Sequence, residues 1–447
     1  MKNTNNIPKP INEPILSYEP GSPEKASLKK RIQELKSNKI EVPLIIGGQE
    51  IKSENLSEMY VPHDHQHILG SYHKAGSKEV TMAIESALSA WKTWSKTSMD
   101  ERAKVFLKAA DLLAGPWRDT INAATMLNMS KNAYQAEIDA ACELIDFFRF
   151  NAWYAQELAE HQPMYSPEGM KNSLELRPLE GFVFAVSPFN FTSIGGNLPC
   201  APAMMGNVAL WKPASSAVYP AYFIMQLLIE AGLPKGVINF IPGSGRDVGP
   251  NVISDSNLAG VHFTGSTNVF QGMWKTIGEN IANYKSYPRI VGETGGKDFI
   301  VAHPDCDRQG LLVALLRGAF EYQGQKCSAA SRAYIPTSVW SAIRGDYVAE
   351  VGKITMGNPR DFTNFMTAVI DEKSFTNITG YIDRAQKSPS CEIITGGGYD
   401  GSKGWFIEPT TIVTTDAKYE SMCEEIFGPV LSIYIYQDED FDATLKL

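Results

Sequence analysis

The chain lacks the features that would mark a membrane protein, a disulfide scaffold or a nucleic-acid binder. Its longest apolar stretches are broken by Pro, Gly or charge well short of the ~18 residues that a membrane-crossing helix needs, so none is expected. Positive charge is in deficit: 41 Lys and Arg stand against 50 Asp and Glu, for a net charge of -9. A general nucleic-acid binder would be basic, and no basic cluster interleaved with aromatics occurs. Cysteine is sparse. The six residues, at 142, 200, 306, 327, 391 and 423, show no CxxC spacing. That argues against a zinc site or a disulfide framework and for reduced thiols in a cytosol-like compartment. The first residues contain no apolar h-region, and Met1–Pro23 is rich in Asn and Pro with acidic residues among them, unlike an Arg-rich, acid-poor transit peptide. This segment reads as an extended arm, with the cytoplasm as the expected compartment and the mitochondrial matrix as the alternative.

What is present suits a folded globular protein: 43% apolar and 20% charged residues, and 447 positions, enough for two or three domains with sizeable cores. Apolar residues at three- and four-residue spacing predict helices over Ala26–Lys36, Lys78–Lys96, Asp100–Leu113 and Asn132–Leu158. From Gly181 the pattern changes. Short apolar runs at Phe182–Val186, Val208–Trp211, Val237–Ile241, Val261–Phe263 and Pro288–Val291 predict strands, with helices between them at Tyr219–Ala231 and Asn268–Asn283. A second α/β region begins near Lys297, with a strand at Phe299–Ala302, a helix at Arg308–Tyr322 and a strand at Arg332–Ile335. Alternating strands and helices imply a parallel sheet covered on both faces, an α/β fold whose ligands bind beyond the carboxyl ends of the strands. The Pro-rich polar stretch Gln162–Pro178 reads as a hairpin. His63, His65 and His67 alternate, so a strand would put them on one face. No Cys or Glu cluster accompanies them, and a solvated hairpin is the expected setting.

Cys327 is the candidate nucleophile, with a small buried hydrophobe, the usual setting of a lone cysteine, as the alternative reading of the residue alone. It sits in Gln323-Gly324-Gln325-Lys326-Cys327-Ser328-Ala329, downstream of Gly292-Glu293-Thr294-Gly295-Gly296-Lys297. A thiolate is a nucleophile for carbonyl carbon, and a neighbouring cation raises the thiolate fraction. A glutamate in the same site could deprotonate the water that releases an acyl group.

With these two segments, Ser187-Pro188-Phe189-Asn190-Phe191, Trp211-Lys212-Pro213-Ala214-Ser215, Phe263-Thr264-Gly265-Ser266 and Glu424-Glu425-Ile426-Phe427-Gly428-Pro429 occur in an order that resembles the aldehyde dehydrogenase superfamily, from about Gly48 to the last residue. Ala136-Glu137-Ile138-Asp139-Ala140-Ala141, Phe147-Phe148-Arg149-Phe150-Asn151-Ala152 and Gly195-Gly196-Asn197-Leu198 resemble its 1-pyrroline-5-carboxylate (glutamate semialdehyde) dehydrogenase branch. The resemblance implies an N-terminal arm and helix over 1–40, a Rossmann-type NAD-binding domain over 41–292 with an oligomerisation hairpin at about 162–180, and an α/β catalytic domain over 293–447. Family members continue past the last residue. The catalytic domain is therefore expected to be incomplete, without the loop that holds the substrate carboxylate, and the chain to be a poorer enzyme than one with that continuation.

The resemblance also implies the roles. Cys327 would attack the aldehyde, Asn190 and the Cys327 N–H would hold the oxyanion, and Glu293 would activate water. NAD would rest on Ser187, Pro188, Phe189, Lys212, Ser215, Gly245, Gly249, Phe263, Gly265, Ser266, Glu425 and Phe427. Many relatives carry a glutamate where Ser215 stands, so NADP is left open. The GxGxxxG spacing through Gly245 and Gly249 departs from a dinucleotide fingerprint, and Phe270 replaces a glycine common in the superfamily. Glu137, Phe191, Lys326 and Ser328 would orient the amino-acid-like substrate, with Glu137 meeting its ammonium. No metal is called for. The implied activity is NAD-dependent oxidation of glutamate γ-semialdehyde to glutamate, in a homodimer or larger homo-oligomer. The alternatives are another semialdehyde as substrate, or a catalytically impaired cofactor-binding fragment.

Overall fold

The computed structural model describes residues 7–447; the start of the expected arm, residues 1–6, lies outside the described residues. Two compact units form. The first comprises 7–59, 68–128 and 136–293, and the second 60–67, 129–135 and 294–447.

The first unit is built on a seven-stranded sheet ordered Arg289–Thr294, Leu258–Gly265, Phe182–Val186, Val208–Lys212, Ile238–Phe240, Leu44–Ile46 and Gln49–Ile51. Phe182–Val186 runs parallel to both neighbours, and Val208–Lys212 runs parallel to Ile238–Phe240. Every residue of Phe182–Val186 and Val208–Lys212 is buried. That is why these strands read as continuous apolar runs instead of alternating ones: helices cover both faces. Leu44–Ile46 pairs antiparallel with Ile238–Phe240 and with Gln49–Ile51, the edge strand on that side of the sheet. The expected helices appear as Pro23–Ser37, Ser77–Trp94, Met99–Ala114, Val218–Ala231 and Thr267–Glu279. Ser98 and Glu101 form a capping box at the start of Met99–Ala114. Gly232, at φ 96, ends Val218–Ala231 in the left-handed conformation that a side chain would resist.

Two details depart from expectation. The stripe over Asn132–Leu158 is one helical run interrupted by a π-helical segment, Glu137–Cys142, between Ala133–Ala136 and Glu143–Glu160. The stretch 162–178 contains no strand. It closes on itself through the Gln162 side chain, whose amide donates to Leu174 O and accepts from Leu174 N–H.

The second unit holds a five-stranded sheet ordered Phe299–Val301, Arg332–Pro336, Val430–Tyr436, Thr410–Thr414 and Cys391–Thr395, parallel except for the last pair. Helices Arg308–Phe320, Thr337–Val351 and Glu372–Lys387 accompany it. Leu315, Phe320, Ile335, Trp340, Tyr347 and Ile433 form its main core, each such side chain worth about 1.5–3 kcal/mol of burial. The histidine stretch is packed, not solvated. His63 is buried with Nδ1 at 2.7 Å from Ser130 Oγ, and His65 Nε2 lies 2.8 Å from Gly401 O with its ring stacked on Trp405. Among the described residues no group of three His, Cys, Asp or Glu is placed to hold a metal ion.

Candidate active site

In the first unit, the parallel strands deliver their carboxyl ends to one edge of the sheet. The chain runs from Phe182–Val186 to Val208–Lys212 to Ile238–Phe240 in one direction. It then crosses back to lay Leu258–Gly265 on the opposite side of Phe182–Val186. The reversal falls between the strand ends Val186 and Phe263, which are direct neighbours, and it is at such a switch point that open α/β sheets bind their ligands. The segment Ser187–Asn190 and the turn Phe263–Ser266 flank it.

Ser187 is locked there: its N–H donates to Lys212 O at 3.1 Å and its Oγ accepts from Trp211 Nε1 at 2.9 Å. Asn190 is buried just before helix Thr192–Met204, with Pro188, Phe189 and Phe191 only partly covered. The first turn of that helix is tied down by a 2.8 Å hydrogen bond between Thr192 and Thr125. Lys212 is buried, donates to Pro213 O at 3.0 Å, and burial pulls its pKa down to about 8. Ser215 lies exposed at the head of the next helix, 3.4 Å from Gly243 O.

Two helix N-termini face this question of anion binding differently. Helix Thr267–Glu279 begins at Ser266 without a side-chain cap, which leaves its N–H groups for an anion. Gly265 is required there, since a Cβ would fall 2.7 Å from the Phe263 ring. Helix Gly245–Ile253 is capped by Ser244, which itself donates to the Asp247 carboxylate at 2.7 Å. A Cβ at Gly245 or Gly249 would meet nothing within 4 Å. A carboxylate already sits at that terminus, so the geometry favours Gly265–Ser266 for a phosphate. Phe270 stacks on Phe263 at 5.4 Å and lies over Gly292, which is tolerated because Gly292 has no side chain. Glu293 is exposed in the edge strand, two residues ahead of Gly295.

In the second unit, three segments converge around Cys327. A Cβ on Gly296 would lie 3.2 Å from Cys327 O, so the glycine turn and the nucleophile's loop are pressed together. Gly296 N–H donates to Glu425 Oε1 at 3.1 Å, and the Glu425 carboxylate fills the space that a Gly295 side chain would need. Partial burial raises the Glu425 pKa, against the hydrogen bond from Gly296 and the charge of Lys297. Phe427, two residues on, adopts φ 58. Lys297 Nζ is buried with no hydrogen-bond partner among the described residues, and burial together with Arg332 lowers its pKa to about 8. Lys326 pairs with Glu321 at 3.4 Å, so the cation expected to favour the thiolate is partly neutralised. Ser328 is exposed beside the cysteine.

Three consecutive residues before this loop are left-handed: Tyr322 at φ 51, Gln323 at φ 54 and Gly324 at φ 65. Only the glycine adopts that conformation freely; each of the others costs about 1–2 kcal/mol. Gln323 and Gln325 are fully buried and hydrogen-bonded to the segment Thr367–Ile370. The sequence displays both glutamines but offers no sign of their task, since the partner segment lies far along the chain.

One expected substrate contact is corrected. Glu137 is completely buried in the first unit. Its carboxylate accepts from Leu16 N–H at 2.8 Å, Tyr18 OH at 2.7 Å, Asn122 Nδ2 at 2.8 Å and the Arg118 guanidinium. Burial alone would raise its pKa. The donors from Arg118, Leu16 and Tyr18 outweigh burial and hold it below the ordinary carboxylate value. The oxygens are occupied and closed to solvent, so a substrate ammonium has no access to them. The N-terminal arm takes that place: Glu13 also binds Arg118 and Arg149, each at 2.6 Å.

The chain matches the Aldehyde dehydrogenase family over residues 50–444. It is 50% identical over 444 residues to a mitochondrial Delta-1-pyrroline-5-carboxylate dehydrogenase of Dictyostelium discoideum, covering 99% of this chain and 80% of that protein. It is 45% identical over 447 residues to the human mitochondrial protein of the same name, covering 100% of this chain and 79% of the relative. The crystal structure of the Delta-pyrroline-5-carboxylate dehydrogenase of Mycobacterium tuberculosis bound with NAD superposes with a TM-score of 0.96 at 46% identity, covering 100% of this chain and 82% of that one.

Proposed function

The chain belongs to the aldehyde dehydrogenase family, and from that premise we propose that it oxidises L-glutamate γ-semialdehyde to L-glutamate with NAD, the step that follows spontaneous ring opening of 1-pyrroline-5-carboxylate. The observation that carries this reading is the likeness over nearly the whole chain to proteins of that name. The packing of Cys327, Gly296 and Glu425 into one locus supports it.

The Cys327 thiolate adds to the aldehyde carbon, and the carbonyl oxygen becomes an alkoxide. Asn190, through its side-chain amide, and the Cys327 N–H stabilise that charge. NAD, when bound, accepts the hydride from the same carbon, which leaves an acyl thioester on Cys327. The residues that would hold it are Ser187–Phe189, Lys212, the uncapped helix start at Gly265–Ser266, and Glu425 with Phe427. Glu293 takes a proton from water, the hydroxide attacks the thioester, and glutamate leaves with regeneration of the thiol. Phe191, Lys326 and Ser328 remain the proposed substrate contacts.

Glu293→Gln tests the division of labour. The first turnover should still release NADH, and later turnovers should slow by roughly 10²-fold as thioester hydrolysis loses its base. Loss of the first turnover itself would assign Glu293 elsewhere. A panel of semialdehydes, scored by kcat/KM from NADH formation, tests the substrate. A better rate with another semialdehyde would replace glutamate semialdehyde.

At the ribose, Ser215 neither accepts hydroxyls as a carboxylate would nor repels a 2′-phosphate. NAD should be favoured over NADP by a modest ratio, and Ser215→Glu should widen it. Complete rejection of NADP by the unaltered protein would show that another residue decides. Oligomerisation is part of the proposal and is supported by the exposed apolar residues of the 162–178 stretch, Met164 at 86% and Tyr165 at 82%. Sedimentation reads it directly. Among the described residues no helix is long and apolar enough to cross a membrane. The proposed compartment is the cytoplasm, with the mitochondrial matrix as the second reading, favoured by the names of the Dictyostelium and human relatives.

A further inference from the structure

We propose that Gln323, assisted by Gln325, is a positioning residue for Cys327: its buried amide clamps the left-handed turn that aims the thiol and its backbone N–H. The proposal rests on the assignment of Cys327 as nucleophile.

The geometry is that of a side chain imitating a peptide group. Gln323 Oε1 accepts from Thr367 N–H at 2.9 Å, while Nε2 donates to Ala368 O at 2.9 Å and to Thr367 Oγ1 at 3.0 Å. An amide held by an acceptor and a donor at once cannot rotate. Gln325, two residues on, supplies the accepting half of the same device, with Oε1 accepting from Ile370 N–H at 2.9 Å. The clamped segment is itself fixed, because Val369 N–H donates to Trp405 O at 2.8 Å and Met366 bridges to Met356.

The clamp acts on backbone that would otherwise relax. Tyr322 and Gln323 both sit at positive φ, a conformation that side-chain-bearing residues keep only when their surroundings over-determine it. The other restraints act on the neighbouring residues. Tyr322 OH donates to Met129 O at 3.1 Å, and a Cβ on Gly324 would fall 2.3 Å from Gly428 O, so the turn is pinned between two walls. Gln323 is completely buried, which rules out direct contact with substrate and leaves orientation as its route to catalysis. Unclamped, the turn would reset toward ordinary dihedrals and carry Cys327, four residues on, with it. Displacements of about 1 Å in a reacting group cost around 10²-fold in rate.

The test is single-turnover NADH formation on the full chain, with enzyme and NAD in excess over glutamate semialdehyde. Gln323→Met keeps the length and apolar bulk and removes the amide. The rate constant should fall about 10²-fold, while the amplitude stays near one NADH per aldehyde and the Kd for NAD stays within twofold. A purely structural role would lower the melting temperature or the amplitude and leave the rate constant unchanged, and that result overturns the proposal. If Gln323→Met does not fold, Gln325→Met, which removes one of the bonds, decides by the same readout with an expected fall of about tenfold; an unchanged rate constant there overturns it too. Cys327→Ala separates the two levels of the argument. Turnover by Cys327→Ala defeats the nucleophile assignment, whereas an inactive Cys327→Ala beside a fully active Gln323→Met defeats the clamp alone.

Discussion

Cys327→Ala should abolish aldehyde oxidation, by at least ~10³-fold in kcat, without weakening NAD binding. The expected loss is large because no other thiol is fit to replace the missing one. Cys200 is buried and kept protonated by that burial. Cys142 is pushed up to about 12 by burial and by the adjacent Glu137 carboxylate. Cys306 is raised by burial as well. Cys423 is exposed and contacts Lys418 O, and Cys391 lies in the outermost strand Cys391–Thr395 with Sγ 3.8 Å from Ser390 Oγ, but none of the left-handed turn or glycine packing that surrounds Cys327 attends either of them. Cofactor affinity should survive, since Ser187, Lys212, Gly265 and Ser266 stand on other segments of the chain, and alanine removes only a sulfur from a partly covered position. Steady-state NADH formation and NAD titration by protein fluorescence read the two quantities separately. Near-normal turnover in Cys327→Ala would end the thioester mechanism. Lost turnover together with lost NAD binding would point to damage of the fold.

The parts of this architecture that sequence displays are those held by local pattern or by strong burial. Strands such as Phe182–Val186 are legible because burial on both faces requires an unbroken apolar run. The amphipathic helix Met99–Ala114 announces itself by its stripe and by the Ser98–Glu101 box. Other features arise from tertiary packing and leave little trace. Helix Thr192–Met204 contains Gly195, Gly196, Pro199 and Pro202, all poor helix formers. It exists because it is buried, and because Gly196 admits Leu144 to within what would be 2.9 Å of a Cβ. The π segment Glu137–Cys142 only shifts the phase of the stripe around it, which a periodicity argument absorbs unnoticed. The same limit governs the site. Cys327, Glu293 and Asn190 stand in short motifs and are visible. The duty of Gln323 depends on Thr367, 44 residues on, and that of Glu137 on Tyr18, 119 residues back.

That long-range pairing makes Glu137 the second position where a single change should have a large effect, on stability and not on substrate affinity. Glu137→Gln removes the charge that balances Arg118, whose guanidinium stays buried beside Cys142 Sγ at 3.3 Å. Removing one partner of a buried ion pair costs about 3–5 kcal/mol, because the remaining charge has neither water nor counter-ion. Glu13 gives Arg118 a second carboxylate, which places the expected loss toward the lower end of that range. Arg118→Met combined with Glu137→Met should recover part of the loss by removing both charges together. The pH dependence carries a definite sign. The folded-state pKa of Glu137 lies below its ordinary value of 4.5, so its contribution is fully present above about that pH and disappears as pH falls through the depressed value. The gap in stability between the native chain and Glu137→Gln should therefore be constant near neutrality and narrow in acid. Urea unfolding at several pH values measures it, alongside KM for glutamate semialdehyde on the folded variant. An unchanged KM with lowered stability is the expected result. A raised KM with native stability would return Glu137 to the substrate and show that the buried network with Arg118 and Tyr18 is not what the carboxylate is for.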